Sequence, residues 1–235
     1  MRFVPIKTAE QQSGLMMHRA RDLLIRQRTM LVNALRGHLA EFGLIEARGL
    51  HKVAGLMAIV RDDADGRLPD MARQVLKVIA DQLDELQMRI VTIERQVLAW
   101  HKSNPTSQRL TSVPGIGPII ATAIAATVPD PSMFSNGREF AAWLGLVPRQ
   151  NSTGGKARLG GISKRGDSYL RRLLVGGAHA VLLRSKIGKT DPWLTALRGR
   201  RPRLVVAVAL ANKTARIAWA VMVKQETYRH AAAAA

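Results

Sequence analysis

Leu76, Ile79, Leu83, Leu86, Ile90, Ile93, Val97 and Trp100 are separated by alternating steps of three and four residues. That spacing keeps an apolar stripe on one face of an α-helix for more than three heptads, the seam of a coiled coil. Such a helix must be covered by a second one. The stretch from about Thr8 to Phe42 offers it: Leu15, Leu23, Leu24, Leu31, Leu35 and Leu39 recur at helical spacing, with Arg19, Arg21, Arg26, Arg28 and Arg36 between them. Gly43 follows as a stop. This first helix could be the antiparallel partner, and so could a second copy of the chain. Self-association through the coiled coil is therefore an expectation.

Residues Ile45 to Pro69 are mixed and end in the polar turn RDDADGRLPD. His101 to Gln108, with Asn104-Pro105, reads as a polar linker, and composition shifts after it. The expected organisation is a helical arm over 1–107, a second helical domain over 108–230 and an alanine tail over 231–235. Within the second domain, helices are expected over Phe134–Leu144, over Asp167–Leu183 with Asp167 as N-cap, and over Leu204–Tyr228, which is apolar on most faces. The fold class is mostly α.

The 235 residues include 36 Lys+Arg against 17 Asp+Glu, a net charge of +19. The excess is uneven: Arg149 to Arg203 holds fourteen Lys+Arg and only two acids, Asp167 and Asp191. Clustered positive charge fits direct contact with a polyanion. Aromatic residues are only 4%, which argues against a base-stacking platform for single strands. Cysteine is absent, so neither disulfides nor thiolate metal sites exist, as in a reducing cytoplasm. No apolar run approaches membrane-spanning length, and no secretory segment opens the chain.

Two constellations could carry chemistry. In LTSVPGIGPIIATAIAATV (110–128) an apolar-Pro-Gly-apolar-Gly turn is flanked by helical segments, as in a helix-hairpin-helix element. Gly115 and Gly117 would let the backbone approach a phosphate, and the amides near Ile119 and Ile120 would point at it. The bland reading is a tight turn that binds nothing. The second is GLVPRQNSTGGKARLGGISKRGDSYLRR (145–172), where Arg149, Lys156, Arg158, Lys164, Arg165, Arg171 and Arg172 surround a hydroxyl pair, Ser152-Thr153. Gly154-Gly155-Lys156 is not a nucleotide-binding loop, since the preceding glycine is missing and Ala157 stands where Ser or Thr is needed. Ser152 could be a nucleophile toward a phosphodiester, with the cations stabilising the pentacovalent phosphorane. It could equally be a loop hydroxyl bonded to local backbone. Metal chemistry finds no support: the acids are scattered, and Asp62-Asp63-Asp65 lacks the downstream Glu of a Ca²⁺ loop.

The order and spacing of SVPGIGPIIATAIAATVPDPSMFSNGREFAAWLGLVPRQNSTGGKARLGGISKRGDSYLRRLL resemble the C-terminal domain of insertion-sequence transposases of the 110/1111 type (also 116/902). RARDLLIRQRTMLVNALRGHLAEFG resembles the start of that family's coiled-coil region. The resemblance implies a DNA recombinase guided by a structured RNA, with a catalytic serine in the C-terminal domain and a Mg²⁺-binding DEDD site in an N-terminal RuvC-like domain. Counting back from Ile162 places the serine at Ser152, whereas counting forward from Pro148 points to Thr153. Ser152 is the expectation. The RuvC-like domain would precede Met1, so this chain is expected to be the C-terminal portion, with no cofactor of its own. It would act on DNA, with guide RNA as second partner, in a bacterial cytoplasm at the nucleoid. The alternative is a non-catalytic binding or dimerisation fragment that regulates a full-length transposase. A helix-hairpin-helix repair protein would leave the ISKRGD block without a role.

Overall fold

A computed structural model describes residues 5–156 and 158–229. The alanine tail, with His230, lies outside the described residues. The molecule is mostly α-helical. In chain order the helices are α1 (Ala9–Glu41), α2 (Val53–Arg61), α3 (Asp70–Ser103), α4 (Pro105–Leu110), α5 (Pro118–Thr127), α6 (Gly137–Trp143), α7 (Ser168–Arg184), α8 (Lys186–Thr190), α9 (Pro192–Arg198) and α10 (Arg203–Lys224), with strands β1 (Pro148–Gln150) and β2 (Leu159–Ile162) between α6 and α7. The chain divides into two compact units, 16–96 and 1–15 plus 97–235, the divisions falling inside α1 and α3.

In the smaller unit, α1 and α3 are joined by Arg21–Glu94 at 2.6 Å and by Arg28 donating to Gln87 at 2.7 Å. Leu35 and Leu39 of α1 pack with Leu76, Ala80 and Leu83 of α3 and with Val53, Leu56 and Val60 of α2. Leu76, Leu83, Leu86, Ile90 and Val97 of the heptad seam are all buried within one chain. The turn after α2 is organised by a single side chain. Arg73, 4% exposed, donates to the carbonyls of Ile59 (2.8 Å) and Val60 (3.3 Å), and also to those of Asp62 and Asp65. The guanidinium thus fills the centre of the RDDADG turn with a covalently attached cation, while the Asp65 and Asp63 side chains pair with Arg67 and Lys77 and Asp62 accepts from the Ala64 amide at 3.0 Å.

In the larger unit, α1 begins with a capping box: Thr8 Oγ1 accepts from the Gln11 amide at 3.1 Å and Gln11 Oε1 from the Thr8 amide at 3.0 Å. The stretch that reads as a linker is helical, with α3 ending and α4 beginning on either side of Asn104. That side chain accepts from the Ser107 amide at 2.8 Å, and Pro105 occupies the first helical position, where its missing N–H costs nothing. Asn104-Pro105 is a corner between two helices because both its residues are helix starters.

α10 is the centre of this unit and packs against α7, α6, α4 and α9. Ala207, Ala211, Ala215 and Ala218, all fully buried, let it approach its neighbours closely. Leu170 and Leu174 of α7, also fully buried, each contribute about 2 kcal/mol by leaving water. α10 corrects one sequence reading: over 22 residues it is long and apolar enough to cross a membrane. Its apolar surface has an internal use, as nine of its residues are buried against the protein.

Candidate nucleic-acid interface

The segment expected to be a loop is a β-hairpin. β1 and β2 pair antiparallel, Pro148 with Ile162 and Gln150 with Leu159, with an irregularity between the two pairs. The ladder continues through Asn151, whose amide donates to the Arg158 carbonyl at 2.9 Å, to a bridge between Thr153 and Lys156. Gly154 (φ 54°) and Gly155 (φ 79°) form the tip, both in the left-handed region that a tight two-residue hairpin turn requires. These strands escape a pattern reading because they are exposed on both faces and lack alternation.

Ser152 stands just before the tip and is exposed. Its Oγ accepts from the Arg158 amide at 3.1 Å, a cross-strand bond that fixes the oxygen and leaves the hydroxyl proton outside that bond. Thr153 forms the turn: its carbonyl accepts from the Lys156 amide at 3.1 Å. Arg149, Lys156 and Arg158 are exposed on the same hairpin, and no acid lies within it.

The hairpin is rooted by a backbone crossing. Gly145 and Gly166 both have positive φ; a Cβ on Gly145 would lie 2.0 Å from the Arg165 carbonyl oxygen, and one on Gly166 would lie 1.8 Å from that of Trp143. The Ser163 and Lys164 amides donate to Val147 and Gly145. Lys164 and Arg165 are thereby held exposed at the foot of the hairpin. Asp167 then caps α7, accepting from the Leu170 amide at 2.9 Å.

The remaining expected cations divide. Arg171 is half-buried and donates to the Leu144 carbonyl at 3.0 Å, closing the end of α6 and supporting the crossing. Arg172 is exposed, its guanidinium 5.4 Å from the centre of the Tyr169 ring. Charge alone cannot separate these neighbours.

Gly115 and Gly117 also differ. Gly115 (φ 89°) faces α7, where a Cβ would meet Val181 at 3.0 Å and the Gly177 carbonyl at 3.2 Å; a Cβ on Gly177 would lie 2.0 Å from the Gly115 carbonyl. Its glycine character is required by helix packing, and Gly177, its counterpart, carries no sequence signal. Gly117 is exposed, with open space around it, and is the N-cap of α5. Pro118 has no N–H, and the amides of Ile119 and Ile120 fall in the first turn, where helical amides lack an intrahelical acceptor. The turn meets α7 at Gly177, ten residues beyond Asp167 and so about 15 Å along the helix from its start.

Among the described residues no group of three or more His, Asp or Glu could hold a metal ion.

Residues 107–192 match the profile of the IS116/IS110/IS902 transposase family. The chain is 51% identical over 233 residues to a probable family 20 transposase of Pseudomonas aeruginosa, with 97% of this chain and 69% of that protein covered. It is 43% identical over 232 residues to the transposase for insertion sequence element IS1111A of Coxiella burnetii, with 97% and 64% covered. To the transposase for IS1328 of Yersinia enterocolitica it is 40% identical over 223 residues, with 94% and 66% covered. The chain belongs to the IS116/IS110/IS902 transposase family and spans about two thirds of the length of these relatives.

Proposed function

We propose that this chain handles DNA during transposition and carries the nucleophile, Ser152. In the reaction the Oγ–P bond forms, the bond from phosphorus to the leaving nucleoside oxygen breaks, and that oxygen takes up the proton lost by the hydroxyl. The exchange is a transesterification that needs no external energy and preserves the phosphodiester for rejoining. Arg149, Lys156, Arg158, Lys164 and Arg165 would stabilise the extra negative charge of the phosphorane.

One observation carries this reading: a serine hydroxyl oriented by a backbone bond stands on an exposed, acid-free hairpin rooted in a rigid crossing. Thr153, whose carbonyl closes the turn, is the second candidate for the nucleophile. Gly117 and the first amides of α5 would form a sequence-independent phosphate contact of the helix-hairpin-helix kind, with Gly115 shaping the turn. Arg172 would add a contact on α7, and Arg171 would hold the frame.

The family resemblance extends the reading to a structured guide RNA, a Mg²⁺-dependent RuvC-like domain, self-association and action on chromosomal DNA in the cytoplasm. The test is a suicide substrate: nicked DNA bearing an element end, incubated with the chain, with and without the element's RNA and a RuvC-like domain supplied in trans. A covalent adduct on a denaturing gel, lost in Ser152→Ala with DNA affinity nearly unchanged, is the expected result. Retarded DNA without adduct in the complemented reaction would replace the proposal with the regulatory, non-catalytic reading.

A further inference from the structure

The Ser152 hairpin leads into the N-terminal end of α7. At the other end of that helix, 17 residues and about 25 Å on, stands a second group of cations. Arg184, Lys186, Lys189, Arg200, Arg201 and Arg203 are all exposed. Asp191 is the only acid between Arg184 and Arg203, and it is committed elsewhere. Its side chain accepts from the Leu194 amide at 3.0 Å, capping α9, and lies 3.9 Å from Lys213. Among the described residues none of these six cations has an ion pair.

The group is held on a folded corner. Gly188 of α8 lies against α7, where a Cβ would stand 2.1 Å from the Val181 carbonyl oxygen. Ser185 caps α8, accepting from the Ile187 amide at 3.2 Å. Arg198, at the end of α9, donates to the Leu182 carbonyl, so the turn that carries Arg200 and Arg201 is tied to the end of α7.

The corner runs against the charge preference of a helix. α10 starts at Arg203 with no side-chain cap and no acid in its first turn, and Arg200 and Arg201 stand just before it. The positive end of a helix dipole disfavours cations, and like charges crowded together repel. An external anion relieves both. The turn uses arginine three times, and the planar guanidinium fork matches the paired oxygens of a phosphodiester. Along α7 itself no acid follows Asp167, and the exposed residues between the two ends include Gly176 and Ala180, which take little room. A nucleic-acid backbone leaving the hairpin meets neither bulk nor negative charge on that path.

We propose that the corner of α8, α9 and the start of α10 is a second phosphodiester-binding surface, and that one duplex engaged at the hairpin continues along α7 to reach it. At about 3.4 Å per base pair the two ends of α7 are about seven base pairs apart. The contacts are to phosphate and carry no base preference. The proposal rests on the reading that this chain handles nucleic acid, and it is independent of Ser152 being the nucleophile.

The test compares the full chain with two triple variants: Arg200→Gln with Arg201→Gln and Arg203→Gln at the corner, and Arg149→Gln with Lys156→Gln and Arg158→Gln on the hairpin. All six positions are exposed, and circular dichroism checks the fold. Each protein is titrated with a duplex of about 20 base pairs between about 50 and 200 mM salt. The corner variant should lower the slope of log affinity against log salt by about 2.7, so that the wild type's advantage shrinks roughly fortyfold across that range. The loss should be equal on an element end and on an unrelated sequence, and combining the two triple variants should add their slopes. DNA and RNA share the phosphodiester, so duplexes of both kinds are titrated, and the loss assigns the corner to whichever shows it. A corner variant that binds both duplexes as the wild type does, while the hairpin variant weakens, overturns this proposal alone. A wild type that binds neither duplex overturns it together with the nucleic-acid reading of the chain. Two duplexes bound per chain, each lost with one variant, would also overturn it, as would phosphatidylserine vesicles bound more tightly than either duplex and released by the corner variant.

Discussion

The two units solve the same problem, an excess of arginine, in opposite ways. Residues 16–96 hold 13 Lys+Arg and 11 Asp+Glu, a net +2, whereas 1–15 plus 97–235 hold 23 and 6, a net +17. In the smaller unit the cations answer to acids: Arg21 to Glu94, Arg61 to Asp81 and Asp84, Arg67 to Asp65, Lys77 to Asp63 and Arg89 to Glu85. In the larger unit Lys213 lies 3.9 Å from Asp191, Arg171 and Arg198 answer to backbone carbonyls, and Arg149, Lys156 and Arg158 stand open on the hairpin. Positive charge is structural in one unit and available in the other. Only available charge can draw a polyanion.

The sharpest way to break the comparison is to remove the buried cation of the smaller unit, Arg73, which like Arg36 answers to backbone carbonyls. Arg73→Met leaves four carbonyls facing an apolar chain and should cost about 4 kcal/mol by urea unfolding, while the surviving folded fraction binds DNA as before.

His18 gives the same unit a pH signature. It is 1% exposed, and burial first, then the nearby Arg21 charge, lowers its pKa to about 4. Between pH 6.5 and about 4 the unfolded chain takes up a proton that the native chain refuses. Stability should therefore fall as pH falls through that window, by about 3 kcal/mol, and this contribution should level off below it. Unfolding curves for wild type and His18→Gln across the window isolate the effect; parallel pH dependences would refute it.

In the larger unit, Gly177→Ala places a methyl group against the Gly115 carbonyl and should cost about 2 kcal/mol, read as a lowered Tm. If Gly115 were glycine only for phosphate access, this substitution would be silent in stability.

The finest comparison is between adjacent residues. Arg172→Gln should lower the slope of log affinity against log salt by about 0.9. Arg171→Gln should lower Tm, by about 1 kcal/mol of stability, for loss of its bond to Leu144. Equal effects on the salt slope would mean that both arginines meet phosphate.

Much of the architecture was legible because helices announce themselves over many residues. The heptad positions, the Asp167 cap and the Leu204–Tyr228 helix each rest on periodicity or cap chemistry, and the structure shows helices there with ends shifted by a few residues. The candidate site was legible as composition: cations, glycines and a hydroxyl pair. Its shape was not, because strands of three and four exposed residues leave no pattern. The reading of Asn104-Pro105 as a linker failed for a related reason, since a polar, proline-containing stretch describes a helix start as well as a break.

The sequence by itself determined the helices, the uneven charge and the serine among the cations, since these depend on residues close together in the chain. Tertiary structure alone decided which arginines are free, which glycines are crossings and which face of α3 stays wet. Those depend on what a side chain meets across dozens of residues: Arg171 finds the end of α6, Gly115 finds Gly177, and Arg158 lends its amide to Ser152.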